Sequence, residues 1–253
     1  MSVAACAALV EKGDPDRFLA TMAAPPEARA RLFPLYAFNL EIARAPWVAS
    51  EPAIGEMRLT FWRETLDGIA AGAPPRAHEV ARPLAEMVRA TGLPVAVLDD
   101  MVMARWADLA RQPFETAGAL ADYLDATAGN LMWAAVLALG GAAPLEDAAR
   151  RVGRAGGLAG WLLAAPELAA RGWPAEPPGL EPLIGAARND LDRARGQRFG
   201  SAVPALRTAW RAGAVLKRAA RDPAAIAEGR LAGSEFARRG SLAWLRRDQL
   251  RAR

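Results

Sequence analysis

Between its prolines this chain repeats apolar residues at the period of an α-helix, and that repeat leaves few folds open to it. Leu32, Leu35, Tyr36, Asn39 and Ile42 fall on one stripe, and Ile54, Met57, Phe61, Thr65 and Ile69 on another. Steps of three and four put side chains on one helix face. Val80, Leu84, Met87, Val88 and Thr91 make a third stripe and Val95, Leu98, Val102, Arg105 and Leu109 a fourth, with further segments over 120–139 and 152–170. Pro25-Pro26, Pro46, Pro52, Pro74-Pro75, Pro94, Pro113, Pro144, Pro174, Pro177-Pro178, Pro204 and Pro223 stand at or near the joints, because an interior proline removes a helix hydrogen bond and clashes with the turn before it. Strands have little to build on: only 12 Val, 5 Ile and 7 Thr occur in 253 residues, and local propensity favours helix throughout. The expected fold is all-α, one domain over 1–253, and 53% hydrophobic residues suffice for its core. Residues 173–182, WPAEPPGLEP, are too rich in proline for helix and could hinge a basic C-terminal helical region.

Several function classes drop out. One cysteine, Cys6, and one histidine, His78, exclude a disulfide framework and a Cys/His zinc cage. Cys6 reads as a small buried hydrophobe and His78, followed by Glu79, as a surface or helix-start residue. The first residues, MSVAACAALVEKGD, lack the basic-then-apolar layout of a secretory signal, and the apolar run Leu131 to Leu145 is too short to span a bilayer. A cytoplasmic protein is expected, peripheral on the inner membrane if it meets one. Charge is uneven: 188–253 holds 16 Lys and Arg against 6 Asp and Glu, a net +10, while the remainder is 16 against 22, a net −6. Such an end suits an anionic membrane or an acidic protein surface, with Arg238, Arg239, Arg246 and Arg247 as candidate contacts; solvated helix faces are the plainer alternative. Nucleic acid is not expected, since Trp210, Phe236 and Trp244 lie too far apart for a stacking platform.

Five segments in register over most of the chain carry a family pattern: DRFLAT (16–21), LYAFN (35–39), RLTFWRETL (58–66), YLDATAGNLM (123–132) and GGLAGWLL (156–163). In this succession the chain resembles the squalene/phytoene synthases. The resemblance implies an isoprenoid-synthase helical bundle around a central cavity, where two aspartate-rich stretches on facing helices hold Mg²⁺ and clamp two prenyl diphosphates for head-to-head joining. Carboxylates serve there because Mg²⁺ is a hard cation that bridges to phosphate oxygens. Here both stretches are gone. After LYAFN the chain reads Ala43, Arg44, Ala45, Pro46 and Trp47, and at the second stretch it offers Leu158, Trp161, Leu162, Leu163, Ala164 and Ala165. Other acids substitute poorly. Asp99-Asp100 follows Pro94 as helix-start acids would, Asp122 and Asp125 form at most a single-sided carboxylate site, and Asp190 and Asp192 do not share a face.

The sequence therefore assigns no catalytic residue and no metal ligand. Candidate cavity or ligand-binding residues are Tyr36, Arg44, Arg58, Arg63, Tyr123 and Asn130, with Arg63 also able to pair with Asp67 along its helix. Gly129, Gly156, Gly157 and Gly160 serve either close helix packing or a pocket wall. A branch of the family with this kind of eroded motif is associated with assembly of respiratory complex I, and the chain resembles that branch. The expectation is a non-catalytic interaction or lipid-binding protein at the membrane surface, with a protein partner or an isoprenoid or other lipid ligand and no cofactor. The alternative is an active head-to-head prenyl synthase that uses Mg²⁺ and holds diphosphate through Arg58, Arg63 or Arg44.

Overall fold

The computed structural model describes residues 2–47, 51–173 and 176–233. Arg238, Arg239, Arg246 and Arg247 lie outside them. Among the described residues there is no strand. The helices are α1 (Val3–Gly13), α2 (Pro15–Met22), α3 (Pro26–Arg44), α4 (Pro52–Ala70), α5 (Ala81–Thr91), α6 (Val95–Ala104), α7 (Trp106–Ala110), α8 (Ala117–Leu124) and α9 (Asn130–Ala138). They continue as α10 (Glu146–Ala170), α11 (Leu180–Ala194), α12 (Val203–Leu206), α13 (Ala212–Arg221) and α14 (Ala224–Ala227), and a π turn, Asp125–Gly129, joins α8 to α9.

Local chemistry explains the boundaries. Pro26 and Pro52 open α3 and α4 where the first turn has no N–H bond to lose. Asp14 Oδ1 accepts from the Arg17 N–H at 2.9 Å to start α2, and Thr116 Oγ1 accepts from the Ala119 N–H at 3.1 Å to start α8. Gly92 ends α5 at φ +67°, where a side chain would be strained. Proline is not always a joint: Pro34 lies inside α3 and Pro166 inside α10.

The stripes on α3 and α5 face the core as expected, but the one on α4 is rotated. Gly55, Leu59, Trp62, Leu66 and Ile69 are buried, whereas Met57 is 63% exposed. Phe61 and Ile54 flank the buried face, and a wide apolar arc had allowed two phases. Asp99 also departs from its expected role. It is not in the first turn of α6 but accepts from Arg63 Nε at 3.0 Å, so Arg63 bridges α4 to α6 in place of the Asp67 pairing along its own helix.

Two cores form. One gathers Cys6, Leu32, Phe38, Leu59, Leu84, Leu98 and Trp133 from α1, α3 to α6 and α9; the other gathers Leu120, Leu158, Leu162, Trp173, Ile184 and Leu216 around α8, α10, α11 and α13. α10 is the shared wall and packs on α9, α11, α13 and the π turn. Its glycines set that contact: a Cβ on Gly153 would stand 2.5 Å from the Ala128 carbonyl oxygen, and one on Gly157 2.5 Å from Ala128 Cβ. The loop into α11 is anchored at both described ends, with Trp173 buried and the Pro178 carbonyl accepting from the Ala117 N–H at 3.0 Å. No helix among the described residues is long and apolar enough to cross a membrane.

Two outcomes follow from this packing. Gly157→Val should lower stability by about 1 to 3 kcal/mol through overpacking, while Gly185→Ala on α11, where an added Cβ meets nothing within 4 Å, should raise it by about 0.5 to 1 kcal/mol; urea denaturation separates them. Burial pushes the Cys6 thiol up to about 11, so at pH 8 the folded chain should resist alkylation that the urea-unfolded chain undergoes readily.

Candidate functional site

A cavity of about 310 Å³ lies between the two cores. Its polar wall is built where α6 breaks. Arg105 links α6 to α7 and reaches Asp108 three residues on, Nη1 to Oδ2 at 3.1 Å. Tyr123 on α8 donates its hydroxyl to Asp108 Oδ1 at 2.7 Å and accepts from Arg105 Nη1 at 2.6 Å. Asp108 is 1% exposed. Burial raises its pKa, with Arg105 and the Tyr123 hydrogen bond pulling the other way. Burial also works against the Arg105 charge, yet the facing Tyr123 and Asp108 outweigh it and its pKa is raised. Tyr123 is raised as well, mainly by burial, and keeps its proton. Both Asp108 oxygens are thus taken within the triad.

Aromatic rings form part of the wall. Trp173 stacks on Trp47 at 5.8 Å between centroids and meets Trp161 edge-on at 5.0 Å, while Phe114 touches Tyr123 at 5.2 Å. Trp173 Nε1 donates to the Gln112 carbonyl at 2.8 Å, and Arg111 sits 4.8 Å over Trp47. The lining continues with Arg17 from α2, Tyr36 and Asn39 from α3, Thr208, Leu131, Met132 and the glycines of α10. Gly160 has nothing within 4 Å of where a Cβ would stand, and this leaves open space on the α10 face.

Of the residues that the sequence singled out, Tyr36 and Tyr123 line this cavity; Arg44, Arg58, Arg63 and Asn130 do not. Arg44 is eight residues beyond Tyr36, about 80° away around an α-helix, and its guanidinium lies over Gly13 of α1. Arg58 borders a shallow depression with Glu41, Met57, Phe61, Trp62 and His78. Arg63 is held by Asp99. Asn130 is seven residues from Tyr123, which on a regular helix is the same face, but the π turn inserts about one residue and swings it roughly a quarter turn. It borders a depression with Asp100, Asp122, Asp125 and Arg150, and its Nδ2 donates to the Ala126 carbonyl at 3.0 Å. Of the acids there, Asp125 is held by Arg150 at 3.1 Å and Arg154 at 2.7 Å. His78 stands before α5, where its Nδ1 accepts from the Val80 N–H at 3.2 Å.

Arg17, Arg105, Asp108, Trp47, Trp161, Trp173 and Thr208 were not singled out as site residues. A signal existed for one pair. Arg105 sits on an otherwise apolar stripe, and a charge there needs a partner within one turn, which Asp108 supplies. Trp173, at the edge of a proline-rich loop, gave no such signal.

Against known proteins, the profile of the squalene/phytoene synthase family matches residues 10–238. The bovine protein named NADH dehydrogenase (ubiquinone) complex I, assembly factor 6 is 31% identical over 166 residues, 64% of this chain and 48% of its own length. The Drosophila melanogaster homologue of that factor is 33% identical over 171 residues, 64% of this chain and 50% of its own. The chain thus matches about half the length of these relatives. In three dimensions it is similar to a dehydrosqualene synthase in complex with ligand, at TM-score 0.67 and 15% identity over 99% of this chain and 97% of that one. It is also similar to a squalene synthase from Alicyclobacillus acidocaldarius, at TM-score 0.63 and 18% identity over 97% and 93%. At those identities the structural likeness establishes the fold.

The triad's energetics can be tested directly. Asp108→Ala strands the Arg105 charge and should cost about 3 to 5 kcal/mol, whereas Tyr123→Phe removes one donor from Asp108 and should cost about 1 to 3 kcal/mol; both are read from urea midpoints.

Proposed function

Since the chain belongs to the squalene/phytoene synthase family, we propose that it keeps the family scaffold for a role other than joining prenyl diphosphates: a non-catalytic assembly factor for a respiratory NADH dehydrogenase complex, working at the membrane surface. One observation carries the reading. Among the described residues, Asp108 is the single carboxylate on the cavity wall, and both its oxygens are bonded to Arg105 and Tyr123. A diphosphate clamp needs several carboxylates on facing helices to hold Mg²⁺. The residues present do not fit that group: Arg44 faces α1, Leu158, Leu162 and Ala165 are buried in the second core, and no cluster of three or more His, Cys, Asp or Glu able to hold a metal occurs among the described residues. Fold alone does not carry chemistry.

The relatives support the positive half of the proposal, because the proteins that match 64% of this chain are named as complex I assembly factors. The contact surfaces follow from charge. The net +10 of residues 188–253, with Arg238, Arg239, Arg246 and Arg247 near its end, suits anionic lipid or an acidic face of a partner protein.

Incubation of the full chain with farnesyl or geranylgeranyl diphosphate and Mg²⁺ should release no pyrophosphate; release accompanied by squalene or phytoene would restore the enzyme reading. Binding to vesicles containing anionic lipid should weaken as salt rises beyond about 0.1 M, where the Debye length is near 10 Å. It should weaken again when Arg238, Arg239, Arg246 and Arg247 are replaced by Gln. Undiminished binding after that replacement would remove the basic end from the proposal.

A further inference from the structure

The cavity wall offers more hydrogen-bond donors than the chain itself uses. Arg17 Nη1 and Arg105 Nε are buried on lining residues and lack a partner, and Tyr36 Oη, buried on the same wall, has only the Thr208 hydroxyl within reach. Tyr36 is 1% exposed. The Thr208 hydroxyl donates to the Ala205 carbonyl at 2.9 Å and keeps its oxygen within hydrogen-bonding reach of Tyr36, and the Arg17 guanidinium carbon lies 5.2 Å from the Tyr36 ring centroid. Burial raises the Tyr36 pKa, so its hydroxyl remains a donor. A stranded buried donor costs about 1 to 3 kcal/mol, and buried polar groups are nearly always bonded. The missing species is therefore an acceptor.

Charge narrows it. Arg17 Nε faces Asp14 at 3.2 Å and Arg105 Nη1 faces Asp108 at 3.1 Å, so each cation is already offset once. With each cation already offset, a diphosphate carrying several charges is disfavoured, since the wall provides no metal ligands to neutralise it, and the least charged anion that still pairs with a guanidinium is the better fit. A planar carboxylate has acceptor oxygens only, the geometry that guanidinium prefers. Leu131, Met132, Trp161 and Ala164 line the rest of the cavity, with open space at Gly160, and they suit a hydrocarbon chain.

We infer that the cavity is a metal-independent site for a long-chain carboxylate, its head group held by Arg17 and Tyr36 with Arg105 Nε as a further donor, and its chain lying against Leu131, Met132 and the glycine face of α10. The inference deepens the non-catalytic reading and rests on it. The full chain, titrated with oleate and followed by calorimetry and by tryptophan fluorescence, should bind saturably one to one, and EDTA should leave the affinity unchanged. Oleyl alcohol, which keeps the chain and loses the charge, should bind at least about tenfold more weakly. Tyr36→Phe should weaken oleate about tenfold while moving the urea midpoint little, because its one hydroxyl neighbour, Thr208, is already bonded to Ala205; Arg17→Gln should weaken it further. Absent saturable binding, equal affinities for oleate and oleyl alcohol, indifference to both substitutions, or tighter Mg²⁺-dependent binding of farnesyl diphosphate would each overturn the proposal. Failure of the non-catalytic reading registers separately, as pyrophosphate release in a turnover assay that the oleate titration does not report.

Discussion

The buried Arg105, Asp108 and Tyr123 triad is the constraint around which the two halves of this molecule are set. Arg105 and Asp108 sit where α6 gives way to α7, and Tyr123 is on α8. Their hydrogen bonds at 2.6 to 3.1 Å fix the turn between those helices against the start of the π turn. Desolvating a guanidinium and a carboxylate offsets much of what their attraction returns, so such a group specifies geometry more than it adds net stability. Here the geometry includes the ring of Tyr123, which orients Phe114 and Trp161, and through them Trp173 and Trp47. One charged pair thus places a whole aromatic wall.

A cavity persists in this chain for reasons of volume as well as charge. The close contacts of Gly153 and Gly157 with Ala128 bring α10 hard against the π turn, while Gly160, further along the same helix, leaves room that no side chain fills. The same run of small residues therefore closes one contact and opens another. Interiors otherwise pack to crystal-like density, so a void bordered by unbonded donors is a feature of the site and not of loose packing.

How much of this was legible depended on whether the signal was local. Helical class followed from spacing and from the scarcity of β-branched residues, and the α3 stripe from Leu32 to Ile42 is buried as its period requires. The phase of α4 was less legible because its apolar arc is wide enough to accept two rotations, and Met57 fell on the wrong side. Asn130 was misplaced for a different reason: periodicity assumes a constant pitch, and the π turn at Asp125–Gly129 breaks it. The arginines were the hardest. Arg44, Arg58 and Arg63 sat beside family motifs yet face α1, a surface depression and Asp99, whereas the cavity arginines, Arg17 and Arg105, are told apart from them only by tertiary contacts that no spacing records.

The fate of α10 carries a consequence for how such a chain can change over time. Where a metal-binding stretch would stand, Leu158, Leu162 and Ala165 are now 1%, 0% and 3% exposed within the second core. A carboxylate placed at any of them would enter a filled apolar layer, at a cost of several kcal/mol before it could bind anything. Most domains hold only about 5 to 15 kcal/mol in reserve. The second core is in this sense a lock on these three positions, since a metal ligand could enter there only if the apolar layer around them were first unpacked.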